Sequence, residues 1–358
     1  APRVMLAGVD PTDRIRQGVI AALQADAREL LPPALADAAE PATGALVAEL
    51  ERFLALMRDY PERPGKTLRG RLLVLAARAH GAPDDAAAQT LAEALELFQN
   101  WVLVHDDIED DSEERRGRPA LHRQVGMPLA LNVGDAMHVA MWRHLLTLPQ
   151  RAPLDLQAAL DEFGAMIMRT AAGQHLDLAW VAQERFDVAE AEYLAMVSLK
   201  TAYYTVVSPL RLGAACAGRA PSPLLEEAGV DLGVAFQIRD DVLNLTPGAE
   251  VGKEFAGDLY EGKRTLVLAH LLGHATPAER ERVVALLRRP RAAKAPEGVA
   301  EVLALIERYG SLAYAQQVAE RRLERGLARL QEALAPLPGR RAAEELLGLV
   351  GSLAERVS

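Results

Sequence analysis

Residues 97–117 read LFQNWVLVHDDIEDDSEERRG, and the change of character at His105 governs how the rest of the chain is read. The first eight positions are apolar on most sides, as in a helix that is buried all round. The nine positions after His105 hold seven carboxylates (Asp106, Asp107, Glu109, Asp110, Asp111, Glu113 and Glu114), and Arg115, Arg116 and Arg118 follow. Like charges at helical spacing repel, so acid at this density destabilises the helix that carries it. The periodicity predicts a helix over 84–112, ~40 Å long at 1.5 Å per residue and long enough to run through the middle of a bundle. Asp106, Asp107 and Asp110 fall at i, i+1 and i+4 near its end, where a buried helix reaches a cavity.

An isolated acidic run is most simply a solvated helix end, and Glu109, Glu113 and Glu114 fit that description. A second cluster changes the balance. Residues 236–244, FQIRDDVLN, repeat the spacing with Asp240, Asp241 and Asn244, again at the end of an apolar helix. Lys253 and Lys263 follow, with Asp258 between them. Anionic oxygens so arranged can hold Mg²⁺, which takes one or two carboxylates and keeps its other positions for water and phosphate oxygens. The nearby cations would grip phosphate through charge-assisted bonds.

Composition narrows the field. The chain has 358 residues, half of them apolar but only 4% aromatic, and a net charge of −10. Helix periodicity covers nearly everything and strand alternation almost nothing, so an all-α, single-domain bundle over 1–358 is expected. Helices are predicted over 12–30, 42–59, 67–80, 84–112, 127–147, 153–180, 187–216, 222–244, 262–274, 277–289, 297–308, 311–335 and 340–356. The charge and the lack of a basic stripe argue against nucleic acid. One cysteine, Cys216, suits a reducing compartment, no run of 18 uncharged apolar residues could span a bilayer, and the N-terminal apolar run is short for a signal peptide. A cytoplasmic location is the expectation.

The two acidic stretches resemble the first and second aspartate-rich motifs of the trans-isoprenyl diphosphate synthases. PGKTLRG (64–70), ALNVGDAMHVAMW (130–142), GQHLDL (173–178), SLKTAYYT (198–205) and GDLYEGKRT (257–265) follow that family in order and spacing. The resemblance implies head-to-tail condensation of isopentenyl diphosphate with an allylic diphosphate in a helical bundle around a central cavity. It implies three Mg²⁺ ions, with Mn²⁺ able to substitute, and a homodimer. Carried over by residue, Asp106, Asp107, Asp110, Asp240, Asp241 and Asn244 would form the metal walls. Arg115, Lys200 and Lys263 would hold the allylic diphosphate, and Lys66, Arg69, Gln99 and Arg116 that of isopentenyl diphosphate. Thr201 and Gln237 would offer oxygen dipoles to a developing cation, Lys253 and Asp258 would complete the second wall, and Gln174 would lie near the allylic substrate.

The chain departs from the family pattern at three places. Pro64 and Thr67 interrupt the usual GGKR, Gln99 stands where many members have His, and Asn244 replaces the third aspartate of the second motif. None of these implies a dead enzyme. Trp101, five residues before Asp106, with Phe98 below it and the smaller Val102 beside it, points to a C20 product, geranylgeranyl diphosphate. A C15 or longer product, a class I terpene cyclase and a silent partner subunit are the alternatives. A cyclase would lack the Lys66/Arg69 pair and the double arginine, and a silent subunit would have lost one acidic cluster.

Overall fold

Alanine, leucine, arginine and glutamate at helical spacing leave little room for strands. The computed structural model describes residues 10–36, 41–151, 154–248 and 254–355. Its helices are α1 (Pro11–Ala22), α2 (Pro41–Glu62), α3 (Leu68–His80), α4 (Ala86–Glu109), α5 (Met127–Leu145), α6 (Leu156–Ala182), α7 (190–216), α8 (Pro223–Asn244), α9 (Gly257–Glu261), α10 (Leu266–His274), α11 (Pro277–Leu287), α12 (Pro296–Arg308), α13 (Ser311–Leu334) and α14 (Arg340–Glu355), with short turns of helix between some of them. The fold is all-α. Among the described residues the one exception is a hairpin of two-residue strands, Glu114–Arg115 and Arg118–Pro119. Helix α4 runs through the middle, with Leu91, Leu95, Leu97 and Phe98 buried, and packs on α1, α3 and α5. Helix α8 packs on α7 and α13.

Several helix ends differ from expectation, each for a local reason. The first helix stops at Ala22, because Asp26 accepts a hydrogen bond from the Arg28 backbone and starts a separate 3₁₀ turn. Helix α4 stops at Glu109 rather than 112, with Asp110 as its cap and Asp111 in the left-handed region at φ 53°. Asp110, Asp111, Glu113 and Glu114 thus lie beyond the helix, and Asp106, Asp107 and Glu109 remain in its last turn.

The expected helix over 187–216 is not uniform. It is α-helical over Glu190–Val197, π-helical over Ser198–Val207 and α-helical again over Ser208–Cys216. A π segment widens the backbone by one residue per turn and recurs at functional sites. Here it carries Lys200 and Thr201. Two glycines let the neighbouring helices reach it. A Cβ on Gly173 would lie 2.2 Å from the Lys200 nitrogen, and one on Gly233 would lie 2.4 Å from the Ala202 Cα. No other residue permits that approach.

Candidate active site

The C-terminal ends of α4 and α8 and the π segment enclose a cavity of about 480 Å³. On the α4 side, Asp106 lines it, approached by Arg115 Nη2 at 3.4 Å, Gln174 Nε2 at 3.4 Å and Lys200 Nζ at 3.9 Å. Asp110 is buried, and Lys263 Nζ donates to its Oδ2 at 2.5 Å. Burial pushes the Asp110 carboxyl up to about 6, against the pull of Lys263. Lys200 donates to Asp177 Oδ2 at 2.5 Å. Burial alone would depress the Lys200 ammonium, but Asp177, Asp106 and Asp110 outweigh it and raise its pKa. Both lysines are therefore charged at neutral pH.

Asp107 requires a correction. It was grouped with the cavity-facing carboxylates, yet it is fully buried and does not line the cavity. Arg115 Nε donates to its Oδ1 at 3.0 Å and Oδ2 at 3.1 Å, with Nη2 also on Oδ1, and the Tyr60 hydroxyl donates to Oδ2 at 2.5 Å. Successive helical residues point about 100° apart, so the cavity takes Asp106 and the protein takes Asp107. Arg115 bonds to both aspartates and also lines the cavity.

On the α8 side, Asp240 is exposed at the cavity and Asp241 is nearly buried. Tyr193 donates to Asp241 Oδ2 at 2.6 Å and Gln237 Nε2 to its Oδ1 at 2.8 Å, while burial pushes its pKa up to about 6. Thr201 donates to Gln237 Oε1 at 2.8 Å, so that amide is held at both ends. Asn244 is turned to the backbone: its Oδ1 accepts from Asp258 N at 3.0 Å and its Nδ2 donates to Glu254 O at 3.3 Å. It anchors the segment that carries Asp258 and Lys263, a role an amide fills better than a carboxylate because it both donates and accepts. Lys253 lies outside the described residues.

A second, adjoining cavity of about 690 Å³ is lined by Lys66, Arg69, Glu96, Gln99 and Arg116, and shares Gln237 and Asp240 with the first. Arg116 lines both cavities and Arg115 the first. Arg115 and Arg116 sit in the hairpin, whose turn residues Arg116 and Gly117 have φ of 52° and 73°, a tight two-residue turn of the kind that suits strand twist. Arg115 is the last residue of its strand and Arg116 the first of the turn, and their side chains reach different partners. Arg115 turns to the aspartates, and Arg116 to the Tyr60 carbonyl, at 3.0 Å, and to Gly65. Buried Arg63 holds the hairpin, donating to the Arg115 carbonyl at 2.7 Å and the Pro119 carbonyl at 3.0 Å.

Some site residues escape a reading by motif. Glu96 is buried beside Arg69 and Arg116, accepts from Gly70 N at 3.1 Å, and has its pKa raised by burial. Asp177, one helical turn beyond Gln174, carries the Lys200 contact; its place in GQHLDL was the available signal. Tyr60, Arg63 and Tyr193 have no local signal at all. Below the charged groups the first cavity turns apolar, lined by Phe98, Trp101, Val102, Ile167 and Tyr204. Trp101 stacks on His138 with centroids 3.9 Å apart.

Residues 51–306, more than half of the chain, match the family model described as polyprenyl synthetase. The chain belongs to this family. A short chain isoprenyl diphosphate synthase of Methanothermobacter thermautotrophicus is 36% identical over 259 residues, 71% of this chain and 76% of that protein. A geranylgeranyl diphosphate synthase of Sulfolobus acidocaldarius is 34% identical over 261 residues, 72% and 77% of the two. Among solved structures, geranylgeranyl pyrophosphate synthase from Corynebacterium glutamicum, complexed with isoprenyl diphosphate and magnesium, superposes with a TM-score of 0.81 at 27% identity, covering 97% of this chain and 100% of that one. Polyprenyl synthase from Caulobacter crescentus, complexed with calcium and isoprenyl diphosphate, gives 0.77 at 26% identity, covering 97% and 95%. The chain is a trans-prenyltransferase of the isoprenyl diphosphate synthase type and uses divalent metal. No helix among the described residues is long and apolar enough to cross a membrane.

Proposed function

We propose that this isoprenyl diphosphate synthase works as one domain and makes geranylgeranyl diphosphate, adding isopentenyl diphosphate to an allylic diphosphate held between Asp106 and Asp110 on α4 and Asp240 on α8. The supporting observation is one cavity that is charged at its mouth and apolar below, with a second basic cavity opening beside it. Among the described residues no three His, Cys, Asp or Glu side chains converge to hold a metal by themselves. Mg²⁺ takes one or two carboxylates and fills its remaining positions with water and substrate phosphate, and Asp106 and Asp240 at the cavity offer such oxygens. Three Mg²⁺ ions, replaceable by Mn²⁺, would neutralise the diphosphate as it leaves.

The protein does the rest. Lys200 and Lys263 lie where the leaving group's charge develops, and Lys66, Arg69, Gln99 and Arg116 fix the second diphosphate. Thr201, tied to Gln237, presents a fixed dipole to the allylic cation, and the apolar lining excludes water from it. The isopentenyl double bond attacks the allylic carbon whose C–O bond to diphosphate breaks, and the released diphosphate takes the proton, giving a chain five carbons longer.

A homodimer fits the apolar side chains left exposed on α5 and α6, among them Met127, Leu131, Val139 and Met168. Light scattering should give about twice the 38.7 kDa chain mass; a monomer at micromolar concentration refutes it. The product is tested with labelled isopentenyl diphosphate and each allylic starter, followed by sizing of the released alcohols. A C20 alcohol is expected, and a C15 or much longer main product overturns that assignment.

A further inference from the structure

The two walls share a device. In each Asp-Asp pair the first carboxylate, Asp106 or Asp240, lines the cavity, and the second is bonded by a buried tyrosine from another helix; Asp107 lies outside the cavity lining and Asp241 within it. Tyr60 comes from α2 and Tyr193 from α7, both are 1% exposed, and both donate to Oδ2, at 2.5 Å and 2.6 Å. Each second aspartate also has a donor on its other oxygen, Arg115 for Asp107 and Gln237 for Asp241. The Tyr60 hydroxyl accepts from Leu121 N at 3.0 Å, which directs its own proton to Asp107. Two carboxylates in a row on a helix project in neighbouring directions and repel, so without a restraint neither holds one rotamer. A phenol restrains one of them with a short charge-assisted bond while adding no positive charge beside the metal wall.

We infer that Tyr60 and Tyr193 are paired positioning residues, each locking the second aspartate of its wall so that the first is held in one orientation toward the metal. This rests on the metal-wall assignment proposed above. Partners that orient metal ligands in this way are worth about 10- to 100-fold in metal affinity when removed.

The test is Mn²⁺ binding to the full chain with inorganic pyrophosphate, followed by electron paramagnetic resonance, for Tyr60→Phe and Tyr193→Phe, with circular dichroism to establish folding. We expect each folded variant to bind Mn²⁺ about 10- to 100-fold more weakly, with kcat reduced and the KM for isopentenyl diphosphate little changed. Wild-type Mn²⁺ affinity in either folded variant overturns the role of that tyrosine. Should a phenylalanine variant not fold, Asp107→Asn or Asp241→Asn keeps the ring and an acceptor oxygen but removes the charge, and must weaken Mn²⁺ binding likewise; wild-type binding overturns the proposal. Asp106→Asn and Asp240→Asn separate the two levels. If they bind Mn²⁺ normally, the metal-wall assignment has failed. If they lose it while the tyrosine variants keep it, only the tyrosine proposal has.

Discussion

Trp101→Ala should lengthen the product by one five-carbon unit and no more. Trp101 lies five residues before Asp106, ~7.5 Å down the α4 axis, and Phe98 lies eight residues before it, ~12 Å down. The ~4.5 Å between them is about the span of one isoprene unit, given a rise of 1.5 Å per residue. Removing the indole therefore lowers the floor from one aromatic ring to the next. Phe98 is a firm stop, since it is 1% exposed and braced edge-on by Tyr204 at 5.5 Å. The main product should move from C20 to C25, and Phe98→Ala added to Trp101→Ala should release a longer ladder. Fully buried aromatics lose ~3–5 kcal/mol on truncation to alanine. Trp101 is only half-buried and borders a cavity that already exists, so the cost should sit at or below the low end of that range. The assay extends labelled isopentenyl diphosphate from a C15 starter and sizes the products, with thermal melts in parallel. An unchanged C20 product in a folded, active variant would refute the floor assignment, as would a jump past C25 with Phe98 intact.

Asp106→Ala and Asp107→Ala should separate cleanly. The first should cut turnover by orders of magnitude with little change in melting; the second strands buried Arg115 and should cost ~3–5 kcal/mol of stability, read by denaturant melts. EDTA should abolish turnover and added Mg²⁺ restore it; full activity in EDTA would remove the metal from the reaction. Lys294 is buried, donates to the carbonyls of Leu259 and Tyr260, and has its ammonium lowered to about 8 by burial and by Arg264 and Arg291. The unfolded chain keeps that proton to about pH 10.4, so between these values it binds more protons than the folded protein, and stability should rise with pH. Lys294→Met should melt with a flatter pH dependence from pH 8 to 10 than the parent; an identical slope would refute this.

The sequence showed most clearly what local spacing controls. The all-α class, the central α4 and the two acidic ends follow from periodicity and charge alone. How the second carboxylate of each pair is held does not, because its partner is distant in sequence: Tyr60, 47 residues from Asp107, and Tyr193, 48 from Asp241. The π segment was invisible for a similar reason. SLKTAYYTVV carries ordinary helical residues, and the glycines that crowd it, Gly173 and Gly233, lie on other helices. The hairpin lies between two predicted helices, and its local signal is Arg116-Gly117, which suits a tight turn.

That hairpin constrains the gene more by length than by composition. Arg115 ends the first strand and turns to Asp106 and Asp107, while Arg116, in the turn, reaches the Tyr60 carbonyl and Gly65. Inserting or deleting one residue at the turn would shift the register and move both arginines off these partners, losing the parity of the hairpin. Substitutions at Glu114 or Arg118, which are exposed, leave this parity intact. In a library of variants this stretch should accept many changes of letter and almost none of count.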